Sequence, residues 1–226
     1  MEKANVVKLR PIVDDEILMK LAEQDVATVH EAMGRRGAMA HSIRPIDRNM
    51  KLCGRALTVQ CHMGDNLMLI KAASMVQPGD VIVADMGWAV DNGPFGELLG
   101  LDCQLRGAAG LVISCGVRDT QALIEMNFPV FSGGISVCGT MKTAAGTINH
   151  PIIVGGILIN PGDVILGDGD GVVVIPCQEA ADILCLAQQR RVKEAEVKRR
   201  LYEGISLFEL YEYKRVFQKL GITEED

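Results

Sequence analysis

Three continuous apolar runs, Val81–Ala84, Gly110–Cys115 and Pro129–Phe131, each follow a segment with helical periodicity. Runs with no polar alternation suit strands covered on both faces, and strands alternating with helices define an α/β class. The preceding helical segments start at Asp65-Asn66 (through Leu67, Ile70, Lys71 and Met75), at Phe95 (to Arg106) and at Thr120 (to Met126). Upstream, Leu52–Gln60 reads as a further strand. Asp14-Asp15 followed by Ile17, Leu18, Leu21, Ala22, Val26 and Val29 predicts one capped amphipathic helix ending near Gly34.

From about 135 to 176 the pattern changes to short strands separated by Gly and Pro-Gly-Asp turns. The phrase Pro161-Gly-Asp-Val-Ile165 repeats Pro78-Gly-Asp-Val-Ile82, which we read as a recurring turn into a strand rather than an internal repeat. From Gln178 to about Lys219 the chain is charged and helical, broken at Gly204. An amphipathic extension of this kind is expected to pack on another body, its own or a neighbour's. The expected division is a core over 1–177 and a helical extension over 178–226.

Composition removes several functions. At 226 residues the chain can bury a full core as one large domain. With 4% aromatic residues, a net charge of −6 and acidic residues flanking its densest basic spots, it offers neither stacking platforms nor a phosphate-tracking surface, so no nucleic-acid partner is expected. Its 7 cysteines include no CxxC pair and sit mostly in apolar runs, the pattern of reduced buried thiols. The opening MEKANVVKLRPIVDDE has no apolar stretch of the signal-peptide kind. The uncharged run Thr143–Gly162 holds His150, Asn149, Asn160, prolines and glycines, so no membrane helix is expected and the protein reads as cytoplasmic.

Chemistry concentrates in two stretches. Asn92-Gly-Pro-Phe-Gly-Glu-Leu-Leu99 is a glycine-rich loop feeding a helix, whose unpaired N–H groups attract a carboxylate or phosphate. In Gly110-Leu-Val-Ile-Ser-Cys-Gly-Val-Arg118-Asp119 a buried strand ends at Cys115 and releases Arg118 and Asp119 at its carboxyl end, where ligands of open α/β sheets collect. Arginine offers a bidentate fork for a carboxylate, and aspartate a hard oxygen for Mg²⁺ or Mn²⁺. A surface ion pair beside a turn fits these residues equally well.

Glu97, then twenty residues, then Arg118-Asp119 resembles the signature of the 4-hydroxy-4-methyl-2-oxoglutarate / 4-carboxy-4-hydroxy-2-oxoadipate aldolases. These are class II pyruvate aldolases sharing a fold with the regulator of ribonuclease E activity A (RraA). The phrases FGELL, RGAAGLV, GVRD, FPVFS, GTMK and INPGDVILGDGDGVVVIP extend the likeness from about Asp14 to Gly204. The resemblance implies an RraA-like α/β fold of layered β/β/α sheets surrounded by helices, with a C-terminal helical extension, assembled as a homotrimer or hexamer. It implies a Mg²⁺- or Mn²⁺-dependent carbon–carbon lyase that cleaves a small 4-hydroxy-2-oxo acid to pyruvate plus a 2-oxo acid. The metal draws electron density from the 2-oxo group, so pyruvate leaves as its enolate. Oxaloacetate decarboxylation passes through the same enolate and should accompany the cleavage.

By the same resemblance, Arg118 grips the substrate and Asp119 is the direct metal ligand. Glu97 acts through water, as does Glu194 from the C-terminal helix of a neighbouring subunit, with Glu196 the competing choice. Backbone N–H groups of Gly96, Glu97, Leu98 and Leu99 bind the pyruvyl carboxylate, and Lys142 lines the cleft. The alternative is a non-catalytic RraA-like inhibitor of a ribonuclease; Glu97 fills an acidic position that those regulators characteristically lack.

Other signals are weaker. Cys115 lacks the Cys-to-Arg spacing of a phosphatase loop and an adjacent histidine, which speaks against a nucleophile. Asp168-Gly-Asp-Gly171 reads as a hairpin rather than a calcium loop. His62, near Gly64-Asp65, is a residue of the pocket rim at most, and no glycine motif supports a nucleotide or organic cofactor.

Overall fold

The computed structural model describes residues 4–87 and 91–223. In chain order the elements are α1 (Asp15–Ala22), α2 (Val26–Ala32), β1 (Arg44–Pro45), β2 (Leu52–Gln60), α3 (Leu67–Ala73), β3 (Asp80–Asp85), α4 (Glu97–Leu105), β4 (Gly110–Val117), α5 (Thr120–Glu125) and β5 (Val130–Ile135). There follow β6 (Thr147–Ile148), β7 (Ile152–Val154), β8 (Ile157–Ile159), β9 (Val164–Asp168), β10 (Gly171–Ile175), α6 (Ala180–Tyr202), α7 (Leu207–Leu210) and α8 (Tyr213–Leu220).

One sheet runs β1-β5-β4-β3-β2-β9-β10, with β6 added beside β2. Its centre, β2 to β5, is parallel, and β1, β9 and β10 join antiparallel. The two ends of the sheet meet. Arg44 donates to the Asp170 carbonyl at 3.0 Å, and the segment at 37–39 pairs along β10, so the sheet is nearly closed.

The apolar runs follow from burial on both faces. Val81 and Val83 of β3 share one cluster with Val112, Phe131 and the β7–β8 hairpin; Ile82 and Ala84 turn the other way, into a cluster with α3, α4 and α5. A third cluster joins α1, α2 and the first half of α6 (Ala180, Ile183, Leu184, Ala187) to β9 and β10. Each wholly buried aliphatic side chain here is worth about 2 kcal/mol of apolar transfer.

The structure corrects some expectations and agrees with others. The single helix from Asp14 to Gly34 is two, divided at Glu23–Asp25, where Asp168 accepts from Val26 N at 3.1 Å and turns the second helix along the sheet. Strand β4 continues past Cys115 to Val117. The two Pro-Gly-Asp-Val-Ile phrases lead into β3 and β9, which flank β2 on opposite sides, one parallel and one antiparallel; they are a shared turn, not a repeated unit. Of the cysteines, Cys61, Cys103 and Cys115 are buried, whereas Cys138 and Cys185 are exposed. Asp168–Gly171 is the β9–β10 hairpin, and Thr143–Gly162 forms short strands. Among the described residues no helix is long and apolar enough to cross a membrane. Residues 1–3 of the opening stretch and 224–226 of the extension lie outside the described residues.

Candidate active site

Strand β4 delivers Arg118 and Asp119 just beyond its carboxyl end. Its register with β5 shifts between Ile113 and Gly116, a bulge of the kind that re-aims the residues after it. The strand end is then gripped on two sides: Arg118 N donates to the Phe95 carbonyl at 2.9 Å, and Ser136 N to the Val117 carbonyl at 2.9 Å. Asp119 occupies the left-handed region (φ 53°), which aspartate tolerates better than most residues. It stands at the N-cap of α5 yet makes no side-chain bond to that helix. Its Oδ2 instead accepts from Glu97 N at 3.2 Å, at the head of the neighbouring helix α4, with Arg118 Nε 3.6 Å away.

Two glycines make this approach possible. A Cβ on Gly96 would lie 2.3 Å from Asp119 Oδ2, and one on Gly93 would lie 2.2 Å from the Ser136 carbonyl oxygen. Gly93 N donates to the Cys138 carbonyl at 2.7 Å, and Asn92 Nδ2 to the Gly139 carbonyl at 3.2 Å, which lays loop 136–141 along loop 91–96. A third loop closes the arrangement. Asn66 N donates to Met141 O at 3.0 Å, Met141 N to Gly64 O at 2.8 Å, and Asn66 Nδ2 to Pro94 O at 2.8 Å. The loops carrying Asp65-Asn66, Gly96-Glu97 and Lys142 therefore mesh around Arg118 and Asp119.

Within this frame Glu97 and Leu98 are exposed at the first turn of α4, Leu99 is half-buried, and Lys142 is exposed on its loop. The Glu97 amide is taken by Asp119. The N-cap residue of α4, Gly96, has no side chain to offer, so the Leu98 and Leu99 amides remain as first-turn donors of that helix. Arg118 and Asp119 are 48% and 44% exposed, on an open shelf rather than in a cavity. A cavity of about 370 Å³ lined by Asp85, Ser114 and the β7–β8 turn lies apart from them.

Glu194 stands elsewhere in the same chain. It accepts from Arg190 Nε at 2.8 Å and from Thr28 Oγ1 at 3.4 Å, on the α2–α6 side, which packs on β9 and β10. Strand β9 is three places along the sheet from β4. A single chain therefore does not bring Glu194 to Asp119. Glu196 is paired with Arg199 on the same helix. Among the described residues no three His, Cys, Asp or Glu side chains gather closely enough to hold a metal ion. The donors present still suit Mg²⁺ or Mn²⁺. These ions take hard oxygens, and Mg²⁺ is commonly held through one or two carboxylates with water or substrate completing the shell; Asp119 and Glu97 are carboxylates on adjoining element ends.

One residue of the site escaped sequence reasoning. Asp65 is 3% exposed and carries no motif; only its place before a predicted helix marked it. Burial alone would raise its pKa, but donors from Thr143, Leu67 and Ala144 outweigh that and hold the carboxyl below its usual range. Cys115, by contrast, is fully buried, and burial pushes its thiol up to about 12, which removes it as a nucleophile.

A parallel-centred, nearly closed sheet with an Arg-Asp pair at a strand end beside a helix head defines an α/β protein with an exposed, charged shelf at the carboxyl end of its sheet. The chain belongs to the RraA-like family: the family model described as Aldolase/RraA matches residues 26–174. A relative from Halalkalibacterium halodurans, provisionally named 4-hydroxy-4-methyl-2-oxoglutarate aldolase, is 33% identical over 188 residues, covering 83% of this chain and 90% of that protein. An uncharacterised protein of Methanocaldococcus jannaschii is 31% identical over 169 residues, 74% of this chain and 81% of its own. Among solved structures, RraAS2 of Streptomyces coelicolor, described as an unusual member of the RNase ES inhibitor RraA family, superposes with a TM-score of 0.75 at 25% identity, covering 84% of this chain and 99% of its own.

Proposed function

We propose that this protein is a Mg²⁺- or Mn²⁺-dependent carbon–carbon lyase that releases pyruvate from 4-carboxy-4-hydroxy-2-oxoadipate or 4-hydroxy-4-methyl-2-oxoglutarate, and that it also decarboxylates oxaloacetate. The observation that carries this reading is the Asp119 carboxylate, turned away from its own helix and held beside Arg118 at the head of α4. A structural N-cap would bond its own helix. A carboxylate set between an arginine and a helix N-terminus, and still nearly half exposed, is available to a ligand.

A divalent cation on Asp119, supported through water by Glu97 and by Glu194 of a neighbouring copy, would supply electron withdrawal from the 2-oxo group. The chain's own residues do the rest. The Arg118 guanidinium and the Leu98 and Leu99 amides hold the substrate carboxylate, fixing the 2-oxo acid against the shelf. When the C3–C4 bond breaks, its electron pair flows toward the 2-oxo oxygen, where the positive charge of Arg118 stabilises it. Glu97, exposed beside the bound substrate, takes the proton that leaves the C4 hydroxyl as C4 becomes a carbonyl, and returns a proton to C3 of the enolate so that pyruvate is released. Lys142 adds positive charge at the rim. The openness of the shelf in one chain favours a homotrimer or hexamer in which a second copy covers it, since such chemistry gains from excluding water.

The second reading is a non-catalytic ribonuclease inhibitor, favoured by the likeness to RraAS2. Purified protein given either 4-hydroxy-2-oxo acid with Mg²⁺ should release pyruvate, and Arg118→Ala should release about 100-fold less. Absence of turnover on both acids and on oxaloacetate, with inhibition of a ribonuclease, would replace the lyase reading by the inhibitor.

A further inference from the structure

We propose that Asp65 and Asn66 are positioning residues that set the three loops of this site in register, Asp65 acting through Lys142 and Asn66 through Gly96-Glu97. The proposal rests on the lyase reading for its catalytic consequence, though not for its structural one. Asp65 divides its two oxygens between different tasks. Oδ1 accepts from Leu67 N at 2.9 Å and starts α3, a local role. Oδ2 accepts from Thr143 N, from Ala144 N at 3.0 Å and from Thr143 Oγ1 at 3.4 Å, residues 78 and 79 positions along the chain. Starting a helix needs only the first oxygen. The second ties down the residues directly after Lys142.

Asn66, 9% exposed, does the equivalent for the other loop. Its Nδ2 donates to Pro94 O at 2.8 Å, two residues before Gly96, and its backbone N donates to Met141 O at 3.0 Å. Two consecutive buried side chains therefore hold both loops that flank Arg118 and Asp119. Both are buried and act through the loops they hold rather than by contact with a substrate. An ångström-scale shift of either loop would misplace a charge or an amide donor, which is how distant residues alter turnover.

Asp65→Asn tests this with little change of shape. Its Oδ1 can still take Leu67 N, but the new amide N–H₂ faces two backbone donors and cannot replace Oδ2. Hydrogen exchange at the Thr143 and Ala144 amides should quicken about tenfold or more, while exchange in β2–β4 stays at the wild-type rate. Asp65→Ser, whose hydroxyl reaches only Leu67 N, should do the same and stands in if Asp65→Asn fails to fold. In pyruvate release, Asp65→Asn and Lys142→Met should not multiply: the double variant should be no slower than Lys142→Met alone. Unchanged exchange at Thr143 and Ala144, or losses that multiply, would overturn the proposal. A wild-type protein without lyase activity would overturn the proposed function instead, and the exchange result would then decide the positioning role alone.

Discussion

Gly96→Ala is the sharpest perturbation the site allows. Gly96 has φ −154° and ψ −165°, an extended conformation open to alanine, so the backbone itself is not strained by the change. The added methyl would instead lie 2.3 Å from Asp119 Oδ2 and 2.9 Å from Arg118 Cγ. Ordinary contact needs roughly 3.4 Å, so the carboxylate must retreat by about 1 Å and lose its bond from Glu97 N. A displacement of that size at a reacting group costs about 100-fold in rate. The bond itself, to a charged but half-exposed acceptor, is worth about 1 kcal/mol of stability, or roughly 2–4 °C in Tm for a chain of this size. Gly134→Ala is the control, because a Cβ there meets nothing within 4 Å. Steady-state pyruvate release, with Tm by calorimetry, reads both. If Gly96→Ala turns over within about threefold of Gly134→Ala, the placement of Asp119 against α4 is not what the chemistry needs, and the reasoning fails.

Three further outcomes follow from the same geometry. Cys115→Ala should keep its turnover per folded molecule and lose about 1 kcal/mol in urea unfolding, while iodoacetamide at neutral pH should label Cys138 and Cys185 and leave Cys115 unmodified. Arg10 and Asp80 form a buried ion pair with side chains 6% and 1% exposed; Arg10→Met removes the cation that Asp80 pairs with among the described residues, and should cost about 3–5 kcal/mol in the same assay. The depressed Asp65 carboxyl supplies stability above its unfolded value of about 4, which is lost as pH falls below that value through the folded one. The stability gap between wild type and Asp65→Asn should therefore be full at pH 7 and close in acid; a gap that widens in acid would contradict the sign.

The parts of the fold that were legible in the sequence are those with a local cause. Strand β2 runs over the predicted Leu52–Gln60 and is buried along most of its length, α3 and α5 start where they were expected, and α4 starts at Glu97, two residues after the expected Phe95. Arg118 and Asp119 were legible as a pair released from a strand end. What the sequence hid depends on partners far along the chain. The break between α1 and α2 is fixed by Asp168, and the support of the Lys142 loop by Asp65. The turn of Asp119 toward α4 needs a left-handed backbone and an absent Cβ at Gly96, neither of which leaves a periodic trace. Glu194 is a similar case: its helix reads clearly, but the face it presents is decided by Thr28 and Arg190.

In the proposed function Asp119 serves a divalent-cation-dependent release of pyruvate. The direct measurement is the rate of pyruvate formation from oxaloacetate, coupled to lactate dehydrogenase, for wild type and Asp119→Asn, each with Mn²⁺ and with chelator. Wild type should turn over with Mn²⁺ and fall to the rate of the protein-free control with chelator, and Asp119→Asn should match the protein-free control under both conditions. Turnover by wild type that survives the chelator, or by Asp119→Asn at the wild-type rate, would contradict it.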